Sequence, residues 1–191
     1  MSELDITCVI LAAGASRRFG SPKMLHPLSN GKLMIEQNIE TCLEVFESVS
    51  VVVRANPASD ELIALLAPYA VNIVESENSE QGMSQSVVAG VRAKPNSDAW
   101  LFVLADMPYV RAETIQSLVN QQTKNNIVLP RYYGRTGNPV GFGAFAKNGL
   151  LMLQGDRGAK SIIQQNEQCV DYVDTDDEGV VIDLDYPSAV N

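Results

Sequence analysis

The sequence predicts an α/β fold, a Rossmann-like three-layer α/β/α arrangement around a mostly parallel sheet. Three observations carry this. Short, nearly continuous apolar runs recur at residues 6–11, 50–53 and 99–104, the pattern of strands buried on both faces. Between them lie segments with apolar residues at helical spacing, as in Ile35, Ile39, Cys42 and Phe46. Strand and helix then alternate, which demands crossover connections and so parallel neighbours with helices on both faces. At roughly 150 residues per domain, the 191 residues make one domain over 1–191, without repeat, linker or low-complexity tract.

The elements follow in order. Residues 6–11 (ITCVIL) form the first strand, and the Gly-, Ser- and Pro-bearing residues 12–32 a long loop. A helix over 33–47 leads to the strand SVVV at 50–53. Ser59-Asp60 caps a helix carrying Leu62, Ile63, Leu65 and Leu66, and residues 71–74 return as a short strand. A polar stretch, 75–81, precedes Gly82-Met83-Ser84-Gln85-Ser86 and a helix through Val91. The strand at 99–104 (AWLFVL) ends just before Asp106-Met107-Pro108. A helix over 111–121, a strand over 127–129, a loop or hairpin over 130–145, helices near 147–153 and 158–165, and strands near 169–173 and 180–184 complete the chain. In such folds ligands bind beyond the C-terminal ends of the strands, where the strand order reverses. The loops after strands one and four are therefore where chemistry is expected.

Composition removes several function classes. Acidic residues outnumber basic ones 23 to 14, for a net charge of −9, which argues against nucleic-acid binding and against docking on anionic lipid. No apolar run reaches the length of a membrane span, and the acidic start Met1-Ser2-Glu3-Leu4-Asp5 is unlike a secretory signal. Three widely spaced cysteines, Cys8, Cys42 and Cys169, suit reduced thiols in the cytoplasm and offer no zinc spacing. With His26 the single histidine, histidine-based metal or triad chemistry has little to work with.

The first loop reads Leu11-Ala12-Ala13-Gly14-Ala15-Ser16-Arg17-Arg18-Phe19-Gly20-Ser21-Pro22-Lys23. It is neither a Walker A loop nor a dinucleotide fingerprint. Its chemistry nevertheless suits phosphate. Glycine lets backbone N–H groups approach an anion, Ser16 adds a hydroxyl, and Arg18 and Lys23 add fixed positive charge. Three of the chain's 14 basic residues sit here, which favours phosphate binding over a solvated turn.

The string resembles the L-A-A-G-x-S-x-R-x-G-x-x-K signature of nucleotidyltransferases with a nucleoside-diphospho-sugar transferase-like fold, and within them the molybdenum cofactor cytidylyltransferases. Further matches follow in the family's order: Gly82-Met83-Ser84-Gln85-Ser86, Leu104-Ala105-Asp106-Met107-Pro108, Gly137-Asn138-Pro139-Val140, Gly155-Asp156-Arg157-Gly158-Ala159-Lys160 and Asp183-Leu184-Asp185-Tyr186-Pro187. Departures stand at Asn138, where the family usually has His, at Lys160, where it has Arg, and after Asp185, where Tyr186 replaces Thr and Ser188-Ala189 replaces Glu-Asp.

The resemblance implies a Mg²⁺-dependent transfer of CMP from CTP to the terminal phosphate of molybdopterin, with pyrophosphate leaving. It places Arg18, Lys23 and Asp106 in catalysis. Asp106 and Asp185 hold Mg²⁺, with Asp183 the alternative to Asp185. Leu11, Ala12, Ala13, Gly14, Ser16, Gly82, Ser84 and Ser86 face the nucleotide, the two later serines serving equally as helix caps. Asn138, Asp156 and Lys160 face the acceptor. The Ala12-Ala13-Gly14 form points to CTP first and GTP second, since the guanylyl relatives usually carry A-G-G. A sugar or polyol phosphate acceptor, or a non-catalytic carrier of molybdenum cofactor to a target molybdoenzyme, are the competing readings.

Overall fold

Alternate residues of the central strands enter different cores. The structure, a computed structural model, describes residues 4–14, 23–56, 59–155 and 158–184. Strands β1 (Ile6–Leu11), β2 (Val49–Arg54), β3 (Val71–Ser76) and β4 (Ala99–Leu104) are parallel neighbours in the order β3-β2-β1-β4. Cys8, Ile10, Val51, Val53, Leu101 and Val103 pack on one face with helices α1 (Met34–Leu43), α2 (Asp60–Leu66) and, later in the chain, α4 (Ala112–Gln121). Val9, Val52, Trp100 and Phe102 pack on the other with α3 (Met83–Ala93), α5 (Lys147–Leu151) and α6 (Lys160–Gln165). The period of two thus builds three layers. No described helix is long and apolar enough to cross a membrane.

Beyond β4 the sheet becomes mixed. β5 (Ile127–Tyr132) turns back in a hairpin onto β6 (Arg135–Thr136) and β7 (Val140–Gly143), both of which pair antiparallel with it. β7 lies antiparallel between β4 and β5, so β5 runs parallel to β4 at one remove. This resolves the loop-or-hairpin segment 130–145: a connection this short can only join antiparallel strands. β8 (Val170–Thr175) pairs in parallel along the whole of β5. Among the described strands, β3, β8 and the two-residue β6 each pair with a single neighbour.

Two expectations need correction. The helix expected over 33–47 closes at Leu43, with Val45 and Phe46 donating back to the Cys42 carbonyl in a turn. Its start is held by the Glu36 carboxylate, which accepts from Leu33 N at 3.0 Å. The strand expected near 180–184 is instead a 3₁₀ turn, Glu178–Val181, followed by chain outside the sheet. Asp177 turns it by accepting from Gly179 N at 2.9 Å, and the Val180 carbonyl is taken by Asn138 N at 2.9 Å. Its backbone groups are thus spent on loops rather than on a neighbouring strand.

Cys8 of β1 and Cys42 of α1 are buried, and with the half-buried Cys169 they are free thiols. Its hydrogen bond with Cys42, together with burial, pushes the Cys8 thiol well above the usual range.

Candidate active site

The strand order reverses between β1 and β4. The chain builds β1, β2 and β3 outward in one direction, then crosses by α3 to place β4 on the other side of β1. Their parallel register pairs Leu11 with Leu104, so the loops that leave the two strands start side by side. This is the crevice in which open α/β sheets take ligands. Leu11 accepts from Ala105 N at 3.3 Å, and Ala12 N donates to the Val52 carbonyl at 2.9 Å. Ala12 and Ala13 are buried, whereas Gly14 is exposed. Among the described residues, a Cβ on Gly14 would meet nothing within 4 Å.

Asp106 is the first charged group beyond β4, and its backbone is held on several sides. Met107 N donates to the Leu104 carbonyl at 3.1 Å, and Leu184 N donates to the Asp106 carbonyl at 2.9 Å. The buried Asn38 amide of α1 donates to the Ala105 carbonyl at 3.0 Å. Across the crevice, Lys23 Nζ donates to Asp106 Oδ2 at 2.9 Å, with side-chain exposures of 8% and 30%. Lys23 opens a 3₁₀ turn, Lys23–Leu25, that follows the first loop. Taking an ammonium out of water is costly, and the Asp106 carboxylate offsets part of that cost.

The second carboxylate oxygen, Oδ1, accepts no bond from the described residues. Mg²⁺ takes one or two carboxylates and fills its shell with phosphate oxygens and water. A partly exposed carboxylate with one such oxygen, beside a fixed cation, fits that donor chemistry. No group of three or more His, Cys, Asp or Glu suited to a metal occurs among the described residues.

The third contributor is the start of α3, which follows β3 after only a short turn and so lies at the same sheet edge. Gly82 stands at φ 115°, ψ 171°, a conformation open to glycine alone. Ser84 is fully buried. Its backbone N donates to the Gly155 carbonyl at 3.3 Å, but its hydroxyl has no partner among the described residues. Ser86 is buried one half-turn on. Neither serine is the cap of α3, since Gly82 holds that position without a side chain to offer.

The acceptor-side residues are more dispersed. Asn138 is half-buried and tied by its backbone to Val180, and Lys160 is exposed as the first residue of α6. That helix begins two residues later than the expected Gly158. Ser16, Arg18, Asp156 and Asp185 lie outside the described residues. Asp183 is exposed and adjoins the buried Leu184.

Two residues that shape the site escaped the sequence reading. Asn38 has no sequence signal beyond a polar residue on the apolar face of α1. Asp177 has one: Asp-x-Gly, at 177–179, is an Asx-turn pattern.

Comparison with known proteins places these features in context. The MobA-like NTP transferase domain matches over residues 8–170. Nicotine blue oxidoreductase of Paenarthrobacter nicotinovorans is 30% identical over 198 residues, covering 97% of this chain and 96% of that protein. The bifunctional protein GlmU of Thermosipho melanesiensis is 28% identical over 159 residues, 82% of this chain, which spans only 34% of that longer protein. Among solved structures, Rv0371c from Mycobacterium tuberculosis H37Rv superposes with a TM-score of 0.83 at 23% identity, covering 98% of this chain and 96% of that one. Its complex with manganese superposes at 0.71 and 21%, covering 91% and 89%. Molybdopterin-guanine dinucleotide biosynthesis protein A from Archaeoglobus fulgidus superposes at 0.69 and 20%, covering 96% and 94%. These structural likenesses bear on the fold alone.

Proposed function

Because the chain belongs to the MobA-like NTP transferase domain family, a family of nucleotidyltransferases, we propose that it transfers CMP from CTP to the terminal phosphate of molybdopterin, releasing pyrophosphate. The observation that carries this is the Lys23–Asp106 pair at the point where the strand order reverses. A fixed cation and a carboxylate oxygen side by side in that crevice support a triphosphate bound along the first loop.

The chemistry asks little of general acid–base catalysis. An acceptor phosphate oxygen, anionic near neutral pH, forms a bond to the α-phosphorus. The bond to the bridging oxygen breaks, and its electron pair leaves with pyrophosphate. The requirement is to hold two anions together and neutralise the charge that builds up. Lys23 and Arg18 meet the triphosphate, and Asp106 and Asp185 hold Mg²⁺, which when bound supplies charge neutralisation at phosphate oxygens. Leu11, Ala12, Ala13, Gly14, Ser16, Gly82, Ser84 and Ser86 line the nucleotide. The unpartnered Ser84 hydroxyl is the donor in waiting among them. Asn138, Asp156 and Lys160 face the acceptor. Residues 1–191 act as a single domain in the cytoplasm, in keeping with three free thiols.

The A-A-G at 12–14 favours CTP over GTP. The test is pyrophosphate release from CTP with Mg²⁺ and molybdopterin, alongside melting shifts with each triphosphate, since a ligand bound only by the native state raises stability by mass action. CTP should give the largest shift and support release. A larger shift with GTP overturns the cytidylyl assignment. Conversion of nicotine blue with no transfer from any triphosphate overturns nucleotidyl transfer itself.

A further inference from the structure

We propose that Asp177 is a positioning residue. By latching onto the start of α4 it fixes the strap 177–184, which holds the Asp106 loop and the Asn138 loop in register.

The latch is densely bonded. Asp177 is 3% exposed. Its Oδ2 accepts from Arg111 N at 2.8 Å and from Thr114 Oγ1 at 2.8 Å, and its Oδ1 accepts from Gly179 N at 2.9 Å. Arg111 Nε stands 3.6 Å from Oδ1, and Asp177 N donates to Thr175 Oγ1 at 3.1 Å. One carboxylate therefore satisfies a donor at the start of α4 and turns the chain leaving β8.

From this anchor the strap touches the site at three points. Gly179 lies so close under the loop after Asp106 that a Cβ would sit 2.1 Å from the Tyr109 carbonyl oxygen. The Val180 carbonyl accepts from Asn138 N, and a Cβ on Gly137 would sit 2.0 Å from that same oxygen. Leu184 N donates to the Asp106 carbonyl, while the Leu184 side chain is buried with Leu28 and Met34. Among the described residues, no hydrogen bond of the strap reaches Leu11–Gly14, Gly82 or Ser84. The strap therefore governs the Asp106 and acceptor side and leaves the nucleotide cradle alone.

The inference rests on Asp106 being a metal carboxylate, as proposed above. Groups that orient a metal ligand are commonly worth about 10–100-fold in metal affinity. The experiment measures Mn²⁺ binding by electron paramagnetic resonance on the full chain with saturating CTP, together with KM for CTP. Asp177→Asn should weaken Mn²⁺ about tenfold and leave KM for CTP within about twofold. Thr114→Val, which removes one hydroxyl donor at nearly constant volume, covers the case in which Asp177→Asn fails to fold. It should weaken Mn²⁺ about threefold, and Thr114→Ser should restore it. Wild-type Mn²⁺ affinity in folded Asp177→Asn or in Thr114→Val overturns the latch and leaves the proposed function standing. Parallel losses of Mn²⁺ and CTP binding with a lowered Tm also overturn it, as plain destabilisation. Absence of Mn²⁺ binding by the wild-type chain with CTP overturns both the inference and the metal reading beneath it.

Discussion

Lys23 and Asp106 share a 2.9 Å charge-assisted hydrogen bond across 83 positions of sequence, one side chain nearly buried and the other partly open to the crevice. The pair ties the first loop to the end of β4, so each residue has a structural and a chemical consequence. Asp106→Asn keeps the volume and an acceptor oxygen for Lys23 but removes the charge. The variant should fold and lose turnover by about 10²–10³-fold, read as pyrophosphate release beside a circular dichroism melt. Near-native turnover would dismiss Asp106 as a metal carboxylate.

Lys23→Ala should lower kcat by about 10²-fold, the loss of roughly 3 kcal/mol from one charged donor, and raise KM for CTP much less. Arg18→Ala should do the same, without full rescue by Arg18→Lys, because an ammonium cannot supply the bidentate fork. Arg17→Ala is the control. Equal damage from Arg17→Ala would mean a diffuse positive patch rather than assigned donors.

Ser84→Ala separates binding from stability. A buried hydroxyl without a partner costs about 1–3 kcal/mol, and the Ser84 hydroxyl is one. Its removal should leave Tm unchanged or higher while KM for CTP rises about tenfold, the worth of one hydrogen bond to a charged group. A drop in Tm with unchanged KM would make Ser84 a packing residue.

Gly90 of α3 tests how closely helix and sheet are packed. A Cβ there would lie 2.6 Å from Val9 Cγ1, a buried methyl of β1. Helix propensity favours alanine by about 1 kcal/mol, but overpacking costs about 1–3 kcal/mol. Gly90→Ala should therefore destabilise on balance in urea titration. Val9→Ala added to it should recover part of the loss, a coupling that independent sites would not show.

Much of this fold was readable because its strands are buried on both faces. The runs at 6–11 and 99–104 coincide with β1 and β4, since continuous apolar sequence has no other way to be satisfied at that length. The carboxylate of Asp106 was readable for the same reason: its position follows from where an unmistakable strand ends. The C-terminal segment was not. Residues 180–184 (VVIDL) carry strand-like composition, yet Gly179 beneath the Tyr109 carbonyl and the bond from Asn138 to Val180 draw them off the sheet. Both are contacts between distant segments that local pattern does not record. Asp177 was passed over for a related reason, as one of several acidic residues in a row with Asp174 and Asp176. Burial distinguishes it, and burial is set by α4.

The Arg131–Asp174 pair predicts an acid-range effect. Arg131 donates to both carboxylate oxygens of Asp174, at 2.7 and 2.9 Å, and also lies 4.9 Å over the Tyr172 ring. Its hydrogen bonding holds the Asp174 carboxyl below the usual range. A depressed carboxylate stabilises the fold above its unfolded pKa of about 3.9. That stability is lost as pH falls through the lower folded value. Asp174→Asn should lower the urea midpoint slightly at neutral pH and flatten its decline below about pH 4, so that variant and wild type converge in acid. An unchanged acid limb would show the pair to be inert. Added salt should shrink the difference, since the pair is exposed.

The sheet is open, and its two six-residue outer strands carry carboxylates: Glu75 on β3, Asp171 and Asp174 on β8. An open edge is a template for strand addition by another chain. A second copy laid against either edge would bring like charges into opposition, which disfavours cross-strand pairing, and the net charge of −9 adds repulsion at longer range. The protection is electrostatic rather than geometric. It should fade as salt screens exposed charges, so that high ionic strength exposes the molecule to edge-to-edge association while leaving its fold intact.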